Sequence, residues 1–252
     1  LGVVWWAWNA KKSLGFSFHL FPGWMNMSLA SIAGFALWNH LSGVVIRLVS
    51  QADIVILGFF EPLSELGDYS VALTISSVFF VIPQLVQRVV SLSFSQSESN
   101  LTNPILLGLA VRYNTLLSIG QLLVYLVAGH WFVSALSPAN PGKVLEYSFY
   151  LVGGVTIYNL ARPWLSLIVI KIDSRRFFLE LFLGPCLISL PTYWFFAQRY
   201  GALGVAQANI LTYGILSLST ILYGTWKTRL VPHFAWMPFE KKIMGHIFGH
   251  HK

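Results

Sequence analysis

Long apolar runs, separated by short polar or Gly/Pro-containing breaks, dominate the chain. A helix that crosses a bilayer needs about 20 mostly apolar residues. Six segments meet that need, near 29–60, 67–93, 104–128, 144–170, 177–197 and 202–225. No hydrophilic linker between them is long enough to hold a second domain. The pattern therefore predicts an all-α fold, a polytopic membrane helix bundle of about six transmembrane helices. The expected organisation is the end of a truncated transmembrane helix over 1–8, a cytoplasmic loop over 9–28, the six-helix bundle over 29–226 and a basic cytoplasmic tail over 227–252. The opening LGVVWWAW is too short to span and lacks the form of a signal peptide. It reads as the tail of a helix whose start precedes Leu1, so the chain is expected to be part of a longer protein.

The segments differ in their punctuation. A continuous helix over 29–60 would be about 48 Å long, against a hydrocarbon thickness of about 30 Å, so it must tilt, bend or project. Pro83, Gly153-Gly154, Pro163, Pro185 and Pro191 fall inside other segments. Such breaks mark hinges or substrate cavities, or are simply tolerated among neighbouring helices. Gly201, Gly204, Ala206, Ala208 and Gly214 give the last segment a small-residue face suited to close helix packing.

Composition strengthens the membrane reading. The chain is 56% hydrophobic and 10% charged, where an ordinary soluble domain carries roughly 25% charged residues. One globular core could not hide that much apolar surface. Charge then gives orientation. Taking 9–28 as one side, that side holds Lys11, Lys12, Lys171, Arg175, Arg176, Lys227, Arg229, Lys241, Lys242 and Lys252, while the opposite loops hold only Lys143 and Arg199. The excess assigns the first side to the cytoplasm and the chain to the plasma (inner) membrane, multi-pass. The net charge of +7 is spread over helix ends, which argues for topology and against a nucleic-acid partner. Membrane lipids are the expected surroundings.

The remaining four arginines, Arg47, Arg88, Arg112 and Arg162, fall within the hydrophobic segments. A charge at that depth is costly and faces a cavity or a partner. Acids are scarce there: Asp53, Asp68, Glu146 and Glu180, with Glu61 and Glu65 in the exposed turn. A surplus of buried cation suits a phosphate or pyrophosphate. Each arginine also has a structural reading. Arg88 can snorkel to the cytoplasmic interface, Arg47 can pair with Asp53, and Arg112 sits about two turns beyond Pro104. Arg162 is the strongest cavity candidate, because Pro163 frees a backbone carbonyl beside it and Asn159 is close in sequence. Asn39, His40 and Gln84 are cavity candidates too, with an interhelical hydrogen bond as the alternative. No soluble-enzyme signature is present, neither GxSxG, HExxH, a P-loop, GxGxxG nor paired cysteines. Neither catalysis nor a metal or other cofactor is expected.

The stretch Gln51 to Pro83 carries an Asp, an apolar run and Gly, a turn with Gly-x-Tyr, then a small residue and a proline-bearing helix, here Asp53, Gly58, Gly67, Tyr69, Ala72 and Pro83. This resembles the O-antigen-type polysaccharide flippases of the multidrug/oligosaccharidyl-lipid/polysaccharide exporter superfamily. The run Tyr200 to Ala208 similarly looks like the small-residue opening of a late helix in that family. One departure is the end of the second segment, where Arg88 and SLSFS stand in place of the further proline of many relatives. The resemblance implies half of a two-lobed flippase fold, with the missing N-terminal half as partner. It also implies movement of an undecaprenyl-pyrophosphate-linked oligosaccharide to the outer leaflet by alternating access. Glycosyltransferases or a polymerase are possible further partners. Arg47, Arg112 and Arg162 would hold the pyrophosphate or anionic sugars, although no family motif assigns them singly. A cation-coupled multidrug antiporter of the same superfamily, with Asp53 as its acid, and a non-transporting scaffold for polysaccharide assembly are the alternatives.

Overall fold

The computed structural model describes residues 51–96, 102–137, 139–171 and 177–233, with isolated positions between 37 and 44. The loop expected over 9–28, most of the first segment and most of the tail lie outside the described residues. Helical residues 51–57 (α1) lead through a turn at 58–62 into α2 (Leu63–Gln96), α3 (Thr102–Leu136) and α4 (Pro141–Lys171). A π-helical turn (Phe177–Phe182) precedes α5 (Leu183–Thr228). There is no strand among the described residues.

Contacts between named residues set the helix directions. Glu65 meets Lys143 and Gln87 meets Arg162, so α2 and α4 run parallel. Tyr125 bonds Ser148 and Asn114 bonds Asn159, so α3 runs against them. The second half of α5 runs with α4, since Asn209 lies over Gly154 and Gly224 lies against Ile168. Direction reverses within α5 at Gly201, whose φ of 60° and ψ of −147° suit glycine. A Cβ there would also run into the Glu61 carboxylate. The expected segments 177–197 and 202–225 are thus two rods of one helical run. Pro83 and Pro163, by contrast, interrupt neither α2 nor α4.

Among the described residues three helices are long and apolar enough to cross a membrane, over Leu63–Phe94, Pro104–Leu136 and Leu183–Thr228. Val78 and Val89 on α2, Leu123, Val127 and Trp131 on α3 and Leu187 on α5 face outward, a surface suited to hydrocarbon rather than to water. α4 is not one of the three, for a physical reason. It is the hub that packs on α2, α3 and α5, and Ser148, Thr156, Asn159, Arg162 and Ser166 lie buried along it. Its neighbours shield those polar groups, so it does not need an apolar exterior.

The two ends of the bundle differ. At one end Lys143 binds Glu65 at 2.9 Å, with Tyr147 as a second donor to the same carboxylate. Those donors, Tyr147 first and then Lys143, hold the Glu65 carboxyl below its ordinary range. At the other end the chain leaves α5 and folds back. The Leu230 side chain joins Phe94, Leu107 and Leu167, and the His233 amide donates to the Pro104 carbonyl at 3.0 Å. Gly108 permits this return, because a Cβ there would collide with the His233 carbonyl.

Candidate functional site

Two prolines and two asparagines organise the middle of the bundle. Proline lacks an N–H and leaves the carbonyl four residues earlier without its helical donor. Pro83 so frees the carbonyl of Phe79, and Pro163 that of Asn159. In an apolar bundle each orphan acceptor needs a replacement donor. Asn159 Nδ2 on α4 donates to the Phe79 carbonyl on α2 at 3.0 Å. Asn114 Nδ2 on α3 donates to the Asn159 carbonyl on α4. The prolines act as sockets for interhelical hydrogen bonds that tie α3 to α4 and α4 to α2.

Arg162 is built onto this frame. Its Nε donates to Asn159 Oδ1 at 2.7 Å and its Nη1 to Gln87 Oε1 at 2.6 Å. The guanidinium lies 5.3 Å from the ring centroids of both Phe80 and Tyr158. Tyr213 closes the group, with its ring centroid 5.4 Å from that of Tyr158 and 6.0 Å from that of Phe80. Arg162 is only 7% exposed, and it has no carboxylate partner among the described residues. Two amide oxygens and two ring faces offset part of its desolvation, but no described residue neutralises its charge. Such a centre can attract and hold an anionic group.

α2 presents polar side chains on either side of Phe80. Gln84, Gln87, Arg88 and Ser91 line a cleft of about 300 Å³. Toward the Glu65 end, a second cleft of about 340 Å³ is lined by residues that include Gln51, Thr74, Ser77, Phe80, Asn209 and Tyr213.

Asp53 forms a separate centre. It is 1% exposed; its Oδ1 accepts from the Ile54 amide at 2.8 Å and its Oδ2 from the Tyr69 hydroxyl at 3.0 Å. The Asp and the Gly-x-Tyr of the sequence pattern therefore meet through one buried hydrogen bond. Tyr193, in the same core cluster, accepts from Asn209 Nδ2 at 3.4 Å.

The candidates from sequence fall into groups. Arg162 and Asn159 come together, and Gln84 lies one turn from Gln87 along the first cleft. Asp53 stands apart with Tyr69. Arg112 stacks over Tyr113 at 5.5 Å; it is two residues, about 200° of helix rotation, from the Asn114 face that meets α4, so it does not join Arg162. Arg88 is exposed beside Gln87. His40 is exposed, and Arg47 and Asn39 lie outside the described residues. Sequence reasoning passed over Asn114, Phe80, Tyr158, Tyr213 and Asn209. Only Asn114 had a readable signal, an amide inside an apolar helix one segment before an Asn-x-x-Arg-Pro run.

Comparison of the chain with protein-family models, with curated proteins and with solved structures found no match to any of them.

Proposed function

We propose that the chain is half of a membrane flippase that moves a lipid-linked oligosaccharide of the undecaprenyl-pyrophosphate type from the inner to the outer leaflet for polysaccharide synthesis. Arg162 carries this reading: a guanidinium buried in an apolar bundle whose partners among the described residues, Asn159, Gln87, Phe80 and Tyr158, are all neutral. An uncompensated buried cation lowers stability, and an anionic ligand that pairs with it returns the cost. A pyrophosphate offers several acceptor oxygens in the geometry a guanidinium prefers. In this reading six helices span the plasma membrane, and the end bearing Lys171, Lys227 and Arg229 faces the cytoplasm. The missing lobe completes the cavity, and the Gln84–Gln87–Arg88 cleft lies on its wall.

The test is flipping of a fluorescent undecaprenyl-pyrophosphoryl sugar by the intact protein in vesicles. Arg162→Gln is expected to slow flipping at least about tenfold, the size of losing one charge-assisted bond, and Arg162→Lys to retain part of it. Wild-type flipping by Arg162→Gln refutes the assignment, and absence of flipping by the wild type favours a scaffold. A cation-coupled antiporter is the second reading, supported by the burial of Asp53 without a cationic partner among the described residues. Under that reading Asp53→Asn abolishes cation-driven drug uptake while Arg162→Gln does not.

A further inference from the structure

The second cleft beside Arg162 has a chemistry of its own. It lies between α1, α2, α4 and α5, and none of its lining residues among those described is charged. Its α2 wall carries hydroxyls whose hydrogens are already committed: Thr74 Oγ1 donates to the Ser70 carbonyl at 2.9 Å and Ser77 Oγ to the Thr74 carbonyl at 2.7 Å. Each hydroxyl oxygen therefore retains lone pairs but no free proton. Asn209 commits one Nδ2 hydrogen to Tyr193 and keeps a second, and the Gln51 amide and the Tyr213 hydroxyl on the same lining are donors as well. The cleft thus offers hydroxyl acceptors on α2 and amide and phenol donors opposite them, and it suits a ligand that both donates and accepts. Phe80 and Tyr213 supply an aromatic wall, which suits an apolar ring face. At about 340 Å³ the space lies near the lower end of the roughly 300–1,000 Å³ range of small-molecule sites.

An uncharged ligand rich in groups that both donate and accept, with a flat apolar face, is a sugar ring. We infer that this cleft is a glycosyl subsite, holding a neutral pyranose between the α2 hydroxyls and the Phe80–Tyr213 wall, separate from the charge site at Arg162. A metal ion or a cationic drug would find no carboxylate among the described lining residues. Phe80 links the two sites, since it both lines the cleft and underlies the guanidinium. The assignment to a lipid-linked sugar rests on the transport reading above, whereas the hydroxyl-acceptor chemistry does not.

Methyl glycosides provide the probe. Saturation-transfer NMR is run on the intact protein in phospholipid nanodiscs free of glycoside detergent, with methyl β-glucoside and methyl β-N-acetylglucosaminide. Binding to the wild type is expected, and Thr74→Val and Ser77→Ala should each weaken it by roughly two- to tenfold, the effect of losing one neutral hydrogen bond. Both variants remove small hydroxyls from the exposed face of α2 and preserve its helix, and Thr74→Val also preserves shape. Absence of a glycoside signal with the wild type, or equal signals in all three proteins, overturns the subsite. Glycoside binding that responds to both changes, in a protein that flips no labelled carrier, supports the cleft and overturns the transport reading. Flipping without glycoside binding does the reverse.

Discussion

The Asn114–Pro163 socket can be isolated by a double-mutant cycle. Asn114→Ala removes the donor that reaches the Asn159 carbonyl from α3, and that carbonyl is orphaned only because residue 163 has no N–H. Asn114 is 2% exposed and Asn159 1%, so water does not substitute. A buried acceptor left without a donor costs about 1–3 kcal/mol in water-soluble proteins. Interhelical hydrogen bonds in membranes average about 0.6 kcal/mol, with a maximum near 1.7. Asn114→Ala also shortens a buried side chain, a packing loss that is present whatever stands at 163. Pro163→Ala restores an amide that can close the helical bond, so in that background Asn114→Ala should cost only its packing component. The expected coupling is about 0.6–1.7 kcal/mol, with the two changes together less damaging than their sum. Reversible unfolding in mixed micelles, followed by helical circular dichroism, measures all four corners. A coupling of zero within about 0.3 kcal/mol would refute the socket and leave Asn114 as a packing residue.

Other expectations follow from the same structure. Tyr69→Phe removes one of the two donors to Asp53 and should cost about 1–3 kcal/mol, read in the same unfolding assay; an unchanged midpoint would show the bond to be dispensable. Gly154→Ala places a methyl group against the Asn209 carboxamide and the Tyr213 ring. Overpacking of this kind costs about 1–3 kcal/mol, and a stability equal to wild type would mean that α5 yields without strain. Acidification tests Glu65. Its carboxyl is held below its ordinary range in the folded protein by the Tyr147 and Lys143 donors, so its stabilising contribution is complete above the unfolded value and is lost as pH falls through the folded one. Melting temperatures from about pH 5 downward should decline more steeply in the wild type than in Glu65→Gln, and parallel curves would remove the pair from the account.

Much of the architecture is legible in the residue pattern because lipid imposes it directly. A backbone in hydrocarbon must satisfy its own hydrogen bonds, so long apolar runs become helices, and the reversal at Gly201 falls in the short break between the last two expected segments. The resemblance pattern likewise marked Asp53 and Tyr69, though as separate features; their hydrogen bond joins residues 16 positions apart and appears only once α1 and α2 fold back at 58–62. Arg162, Asn159 and Pro163 stood out because charge and proline are expensive inside an apolar run. Tertiary structure decided what those residues meet. Pro83 and Pro163 read along the chain as hinges, as cavity markers or as tolerated breaks, and the fold makes them sockets, because the carbonyls they free are reached by amides on neighbouring helices. Arg112 and Arg162 both fall inside apolar runs, and helix rotation turns Arg112 away from the side of α3 that meets α4. α4 resembles its neighbours in length and becomes the hub because its buried polar side chains find partners on α2 and α3, while on its remaining side Ser217 of α5 donates to the Ile157 carbonyl. Periodicity records which residues avoid water. Only the packing of one helix on another determines which polar group satisfies which.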